Sequence, residues 1–323
     1  MNQRRRFIAA SLSLAAGAAV RPAFAAAKFP ERPVRLVVPY APGGGSDALG
    51  RVVAHAMGQR LGVSMVVENR GGAGGAMGLE MVVRAAPDGY TLVLLSTSHA
   101  SNGAVMKLNY DVVKDTRAIG LIASGPWVLV TNKATGIASL DDLLRLAREQ
   151  PDALNYASSG TGSSTHLATE LFAQKAGIRV SHIPYRSSGL ALTDLLANRI
   201  QFMLASAASV TSYVRDAMLL PLCVSTAKRS PFLPDVPTAQ EAGVAGFAEE
   251  LWHGLAAPAG TPEEAVQVLN QALAQALQDA ELRAQFAREG LQPRPSTPQA
   301  FAQLVEADVA AWADIAAKAN LAM

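Results

Sequence analysis

The chain of 323 residues contains one cysteine, Cys223, inside the apolar run "LLPLCVS". An intramolecular disulfide is therefore excluded even in an oxidising compartment, and the thiol reads as a small buried hydrophobe. Five histidines, His55, His99, His166, His182 and His253, are scattered without H-x-x-x-H spacing or a carboxylate-spaced cluster, so no metal site and no cofactor is expected. Like charges form no run, and no low-complexity tract is present. No internal repeat of roughly 20 to 50 residues is present either, which excludes solenoids and propellers. After the N-terminal segment, no apolar stretch is long enough to span a bilayer.

That N-terminal segment, "MNQRRRFIAASLSLAAGAAVRPAFAAA", has the layout of an export signal. Arg4, Arg5 and Arg6 precede a short apolar run from Phe7 to Val20 and the small-residue pattern Ala23-Phe24-Ala25. Arg4-Arg5 followed by Arg6, Phe7 and Ile8 also resembles a twin-arginine signal, with Gln3 where Ser or Thr is more usual; both export routes stay open. Cleavage is expected to leave a mature N-terminus within Ala26 to Lys28. Removing residues 1–27 takes away four arginines and no acidic residue, so the formal charge moves from +2 to −2. The basic character thus belongs to the signal, and the remainder lacks the cationic face that nucleic-acid binding needs.

The rest of the chain alternates β-branched runs with longer helical patterns, which predicts βα units around a mostly parallel sheet. A first set of strands is expected at 34–40, 65–69, 91–97 and 118–123, and a second, after "PWVLVTN" at 126–132, at 154–159, 180–185, 200–205 and 219–225. Between them lie helices such as the one after Ser139, with Leu140, Leu143, Leu144 and Ala147 on one face. From Thr261 onward the pattern is almost purely helical, and Phe301, Leu304, Val305, Val309, Trp312 and Ile315 form an apolar stripe read as packing surface. Linkers are expected around "SGPWVLV" and "ELWHGLAAPAGTP". A chain that leaves one lobe at the first and returns at the second joins the lobes by two strands, as a hinge does.

Three strands run into small-residue loops that open helices: "APGGGSD", "RGGAGGAMG" at 70–78 and "SSGTGSSTH" at 158–166. A helix N-terminus offers free N–H donors and a favourable dipole to an anion, and glycine lets the anion reach the main chain. Each hydrogen bond to a charged group contributes roughly 1.5 to 3 kcal/mol, so four or five supply the ~8 kcal/mol of micromolar binding. The hydroxyls of Ser46, Ser158, Thr161, Ser163 and Ser164 add donors, so a carboxylate needs no Arg or Lys here. The competing reading is that the glycines only make tight turns, with Ser46 or Asp47 as an ordinary helix cap.

Other chemistries fit less well. The first loop is not G-x-x-x-x-G-K-[ST]. The second imitates a dinucleotide fingerprint, but the strand after it ends without the acidic residue that would hold a ribose. No G-x-S-x-G elbow is present. A secreted serine hydrolase using Ser163 or Ser164 with His166 remains the alternative.

The segments "RPVRLVVPYAPGGGSDALGR", "VVENRGGAGGAMG", "AAPDGYTLVL", "LNYASSGTGSSTHLATELF", "HIPYRSSGLALTDLLANRI", "AKRSPFLPDVPTAQEAG" and "WHGLAAPAGTP", in this order, resemble the periplasmic receptors of tripartite tricarboxylate transporters, also called Bug receptors. The resemblance covers essentially all of the chain after the signal. It implies an α/β, two-lobed periplasmic binding protein of type II, a Venus flytrap with two hinge-crossing strands and no enzymatic activity. Residues 1–27 would be the cleaved signal, 28–125 plus 252–323 the first lobe, and 126–251 the second. Such a receptor is exported to the periplasm, is expected to be a monomer, and hands a small organic carboxylate to a permease of two integral membrane subunits.

On the same resemblance Gly43, Gly44, Gly45, Ser46, Thr161, Ser163 and Ser164 hold the carboxylate. Tyr40, Asp47, Ser98 and His99 of the "STSH" turn, Ser158, His166 and Ser206 line the same region. The chain departs from the pattern at "IQFMLASAASV", where many relatives carry an acidic residue and this chain has Ala205 and Ser206, making an amino-acid ligand less expected. Arg186 stands where lysine is commoner and reads as a solvated cation. The turn in "YVRDAMLLPLCV" lacks the usual glycine, and nothing in the sequence explains it.

Overall fold

The computed structural model describes residues 29–43 and 45–318. The expected export signal at 1–27 and Gly44 lie outside the described residues. Two sheets carry the fold, and the chain builds the first, leaves for the second and returns.

The first series is β1 (Val34–Val38), α1 (Gly45–Leu61), β2 (Met65–Asn69), α2 (Ala76–Val83), β3 (Thr91–Ser96), α3 (Thr97–Val105) and β4 (Thr116–Gly125). Pro126 then separates β4 from β5 (Trp127–Asn132), which opens the second series of α4 (Leu140–Glu149), β6 (Asn155–Ser158), α5 (Ser164–Ala176), β7 (Ser181–Pro184), α6 (Ser188–Leu196), β8 (Phe202–Ser206), α7 (Ala207–Arg215) and β9 (Leu219–Val224). The return is β10 (Leu251–Pro258), followed by α8 (Glu263–Ala276), α9 (Ala280–Arg288), β11 (Gln292–Pro293) and α10 (Pro298–Lys318).

The strand orders are β11-β4-β10-β3-β1-β2 and β7-β6-β8-β5-β9. Each sheet has a three-stranded parallel core in which the middle strand, β1 or β6, pairs with the two strands that follow it in sequence. The strands flanking those cores are antiparallel, which the expectation of a mostly parallel sheet does not include. The reason is the double crossing: β5 and β10 each enter a sheet from the other lobe and run against the strands they join. β10 is also a full strand where a linker was expected. Its sequence, "LWHGLAAP", has few β-branched residues, and it is held instead by pairing on both sides.

Packing explains the small residues there. A Cβ on Gly254 would stand 2.1 Å from Phe301 of α10, so only glycine lets that ring lie on β10. Phe301 is fully buried, as are Val305 and Trp312 along the expected stripe, with Leu304 and Val309 partly so. Full burial of one such side chain is worth about 1.5 to 3 kcal/mol. α10 packs on β4 and α3 and reaches α5, and Trp312 meets Trp127 edge-on at 6.4 Å. In α4 the Ser139 hydroxyl accepts from the Asp142 N–H, and Leu140, Leu143, Leu144 and Ala147 are buried as their spacing predicts. Cys223 is buried in β9, and burial pushes its thiol up to about 12.

The two crossings meet at Ser225. Its N–H donates to the Trp127 carbonyl (2.9 Å) and its hydroxyl accepts from the Trp127 N–H (3.0 Å). The same hydroxyl donates to the Glu249 carbonyl (2.6 Å), while the Glu249 N–H donates to the Ser225 carbonyl (2.9 Å).

Candidate functional site

In both sheets the C-terminal ends of the parallel strands lead straight into helices, so the N-termini of α1, α2 and α3 in one lobe and of α5 and α7 in the other open beyond the strand ends. The order of each sheet reverses at its middle strand, and the crevice outside that point is where such sheets take ligands.

The first lobe's half begins after β1. Gly43 has φ +86°, a left-handed conformation suited to glycine, and an added Cβ at Gly43 or at Gly45 would meet nothing within 4 Å. Ser46 follows in the first turn of α1, with its hydroxyl 3.4 Å from His253 Nε2. Asp47 takes another role. Its carboxylate accepts from the Gly43 N–H (2.9 Å), from Asn69 Nδ2 (2.9 Å) and from Arg51 Nε (3.1 Å), and the residue is buried. Burial pushes this carboxyl up, but the Gly43 N–H, Arg51 and Asn69 outweigh it and hold the pKa below the usual value. Asp47 therefore braces the loop and has no acceptor face to spare.

Tyr40 and α3 complete this half. The Tyr40 and Ser96 hydroxyls lie 2.6 Å apart, and His99 Nδ1 accepts from the Ser96 N–H at 3.0 Å. His99 is buried and its pKa falls to about 4 because burial disfavours the imidazolium. The ring is thus neutral, with its proton on Nε2, and that atom has no hydrogen-bond partner among the described residues.

The second lobe supplies the loop after β6. Ser163 caps α5: its hydroxyl accepts from the His166 N–H (3.3 Å) and donates to the Gly160 carbonyl (2.7 Å). Thr161 is exposed at the loop tip. The Ser164 hydroxyl lies 3.3 Å from that of Ser98, so α5 and α3 touch across the two lobes. A Cβ on Gly162 would come within 2.5 Å of Val105 Cγ2, which closes the same contact lower down.

Ser158 and His166 lie behind this loop. Ser158 is fully buried, with its hydroxyl 2.6 Å from His182 Nε2 and donating to the Gly160 carbonyl. His166 Nδ1 accepts from the Gly162 N–H (3.1 Å), and its ring stacks on His182 with centroids 3.8 Å apart. Both polar groups hold the loop's shape. Ser206 ends β8, and its hydroxyl donates to Ser209 at 3.1 Å, leaving the N-terminus of α7 without a side-chain cap.

A hydrolytic reading finds no support in this arrangement. The His166 ring bonds to a main-chain N–H and bonds neither Ser163 nor Ser164, so neither of those serines is paired with it as a base. No group of three or more His, Cys, Asp or Glu stands close enough for a metal among the described residues. Nor is any helix among them long and apolar enough to cross a membrane. The charges among the side chains named above are those of Asp47 and Arg51, which pair with each other. The site's remaining donors are neutral hydroxyls, imidazoles and main-chain N–H groups.

Of the second glycine loop, every close approach is internal. Gly71 backs onto the Tyr40–Ala41 main chain, Gly74 onto Asn102, and Gly75 onto His99 and the Tyr40 hydroxyl. This loop buttresses the site and leaves no open main chain at those glycines. His253 is the residue that sequence reasoning left out. No local signal marks it, since its approach to Ser46 spans 207 positions.

Comparison with known proteins accords with this geometry. Residues 49–321 match a family described as "Tripartite tricarboxylate transporter family receptor". Protein BugT of Bordetella pertussis is 32% identical over 318 residues, covering 98% of this chain and 97% of that protein. A Rhodopseudomonas palustris protein solved with adipate is 33% identical, with a TM-score of 0.83 over 91% of this chain and 99% of its own. MatC of the same organism, solved with bound malate, is 32% identical, with a TM-score of 0.80 over 89% and 99%. The chain belongs to the family of periplasmic receptors that serve tripartite tricarboxylate transporters.

Proposed function

We propose that this receptor holds the carboxylate of a small organic acid at the mouth of α1, between a first lobe of residues 28–125 plus 252–323 and a second of residues 126–251. The observation that carries the reading is the bare main chain at Gly43 and Gly45. Nothing stands within 4 Å of where a side chain would begin, at the N-terminus of a helix of 17 residues. Gly45 opens α1 without a left-handed φ, so neither backbone conformation nor packing requires glycine there. An anion that must reach the main chain accounts for its presence.

The main-chain N–H groups of Gly44, Gly45 and Ser46 and the hydroxyls of Ser46, Thr161 and Ser164 are the groups assigned to the carboxylate, while Gly43, whose N–H is taken by Asp47, shapes the loop around it. Ser163 and the Ser158–His182–His166 assembly hold the second loop against it. Tyr40, Ser98 and His99 form the floor, and Ser206 borders the mouth of α7. The solved relatives with adipate and malate support the ligand class. The same reading makes the protein a carrier and not a catalyst, exported through a cleaved signal at residues 1–27, monomeric, and unloading to a permease of two membrane subunits.

The test is thermal unfolding against a panel of carboxylates that includes adipate and malate. An acid that binds only the folded state adds about 2.7 kcal/mol at a hundredfold excess over Kd. A rise in the midpoint with one or more acids is the expected result; a response to sugars or metal ions alone would refute it. Intact mass of periplasmic material tests the signal, since retained Arg4 to Arg6 excludes cleavage.

A further inference from the structure

His253 sits on β10, the strand that brings the chain back to the first lobe, and it pairs in register with Ser96 of β3. Its ring reaches the mouth of α1, where Nε2 lies 3.4 Å from the Ser46 hydroxyl. The other ring nitrogen, Nδ1, is buried and has no hydrogen-bond partner among the described residues. Burial, with a further contribution from His99, lowers the pKa to about 4, so the ring is neutral and carries a single N–H.

The two tautomers differ in what they leave unpaired. With the proton on Nδ1 a buried donor has no acceptor, whereas with the proton on Nε2 only a lone pair goes unused. Buried N–H groups without a partner are the rarer of the two in folded proteins. Nε2–H then faces the Ser46 oxygen. A serine hydroxyl is free to donate or accept by rotating, but one whose oxygen already accepts from His253 turns its proton elsewhere.

We propose that His253 is a positioning residue that makes Ser46 a one-way donor: Nε2–H donates to Ser46 Oγ, and the Ser46 proton is left for an acceptor in the cleft. At this position the site reads a carboxylate oxygen and discriminates against an amide or ammonium N–H. The inference rests on the reading that a carboxylate occupies the mouth of α1. It deepens that reading by naming the group that sets the direction of one hydrogen bond.

The first test needs no bound acid. In 15N-labelled protein, long-range 1H–15N spectra assign the His253 ring by its loss in His253→Gln. The expected spectrum at pH 7 is that of the Nε2–H tautomer, and Ser46→Ala should shift it. An Nδ1–H tautomer, or a ring indifferent to Ser46→Ala, would overturn the proposal.

The second test is calorimetric, with adipate and malate each set beside its diamide. His253→Phe should weaken binding of the acid by about tenfold, one hydrogen bond to a charged system at roughly 1.5 kcal/mol. It should narrow the preference for acid over diamide by a similar factor. His253→Gln, which keeps an N–H donor, should recover most of both. In a Ser46→Ala background His253→Phe should cost nothing further, and additive losses would refute the coupling. If neither acid binds the parent protein, the carboxylate reading fails for these acids, and the tautomer measurement still decides the His253–Ser46 bond.

Discussion

A Cβ added at Gly45, in the loop after β1, meets nothing within 4 Å, whereas one added at Gly75, in the loop after β2, falls 2.9 Å from His99 Nε2. At Gly78 the added atom would stand 2.6 Å from both the Arg70 carbonyl and Pro39. The two loops have nearly the same composition, both follow a parallel strand and both open a helix. In the second, glycine is demanded by neighbours already in place, as close packing requires. In the first, the space beside the main chain is open, and packing leaves the glycine at position 45 unexplained.

Substitution separates the two cases. Gly45→Val should leave unfolding free energy within about 1 kcal/mol of the parent, since only helix propensity changes. It should weaken carboxylate binding by about two to four decades, through two charge-assisted bonds at roughly 1.5 to 3 kcal/mol each. Calorimetric titration of a variant shown to be folded by circular dichroism decides it, and unchanged affinity would make "APGGGSD" a turn and nothing more. Gly75→Ala should do the reverse in kind. Its φ of +98° and the clash with His99 predict a loss of about 2 to 4 kcal/mol in urea unfolding. A stable Gly75→Ala protein would erase the contrast between the loops.

The comparison extends to the rings behind the loops. Burial lowers His99, His166, His182 and His253 to about 4, with neighbouring imidazoles adding to the effect at His182 and His253. An unfolded histidine titrates near ~6.5, so between those values the unfolded chain binds more protons and stability falls as pH drops. Glu249, raised to about 7 by burial and by Asp308, is protonated in the fold and opposes this by one proton. Unfolding near pH 5 should therefore take up about three protons, read as the slope of unfolding free energy against pH. A flat profile there would mean the rings are solvated. The smallest effect is reserved for Ser164→Ala, which removes one donor and should weaken binding by about one decade. No change would leave Ser164 to the Ser98 contact alone.

Part of this architecture is legible in the chain itself, because β1 and β3 of the first parallel core are short apolar runs whose burial is nearly complete, "VRLVV" and "TLVLLS". β10 is not, since its place depends on Phe301 and on partners in two distant strands. The same holds within the site. Ser46, Ser163 and Ser164 follow from helix entry, a local signal. Asp47 and Ser158 have the same local signal and turn away, toward Asn69 and His182, which lie far along the sequence. Pattern reading detects donors near a helix mouth; it does not reveal which of them already have partners.

Ser225 has a mechanical consequence. It uses its N–H, its carbonyl and its hydroxyl to tie Trp127 to Glu249, so the two crossings are bolted side by side into a single axle. Twisting one lobe about its own axis would shear those four bonds, each worth about 0.5 to 1.5 kcal/mol. A bend of the lobes about that axle would leave the four bonds in place and would be the motion that parts Ser98 from Ser164, whose hydroxyls lie 3.3 Å apart.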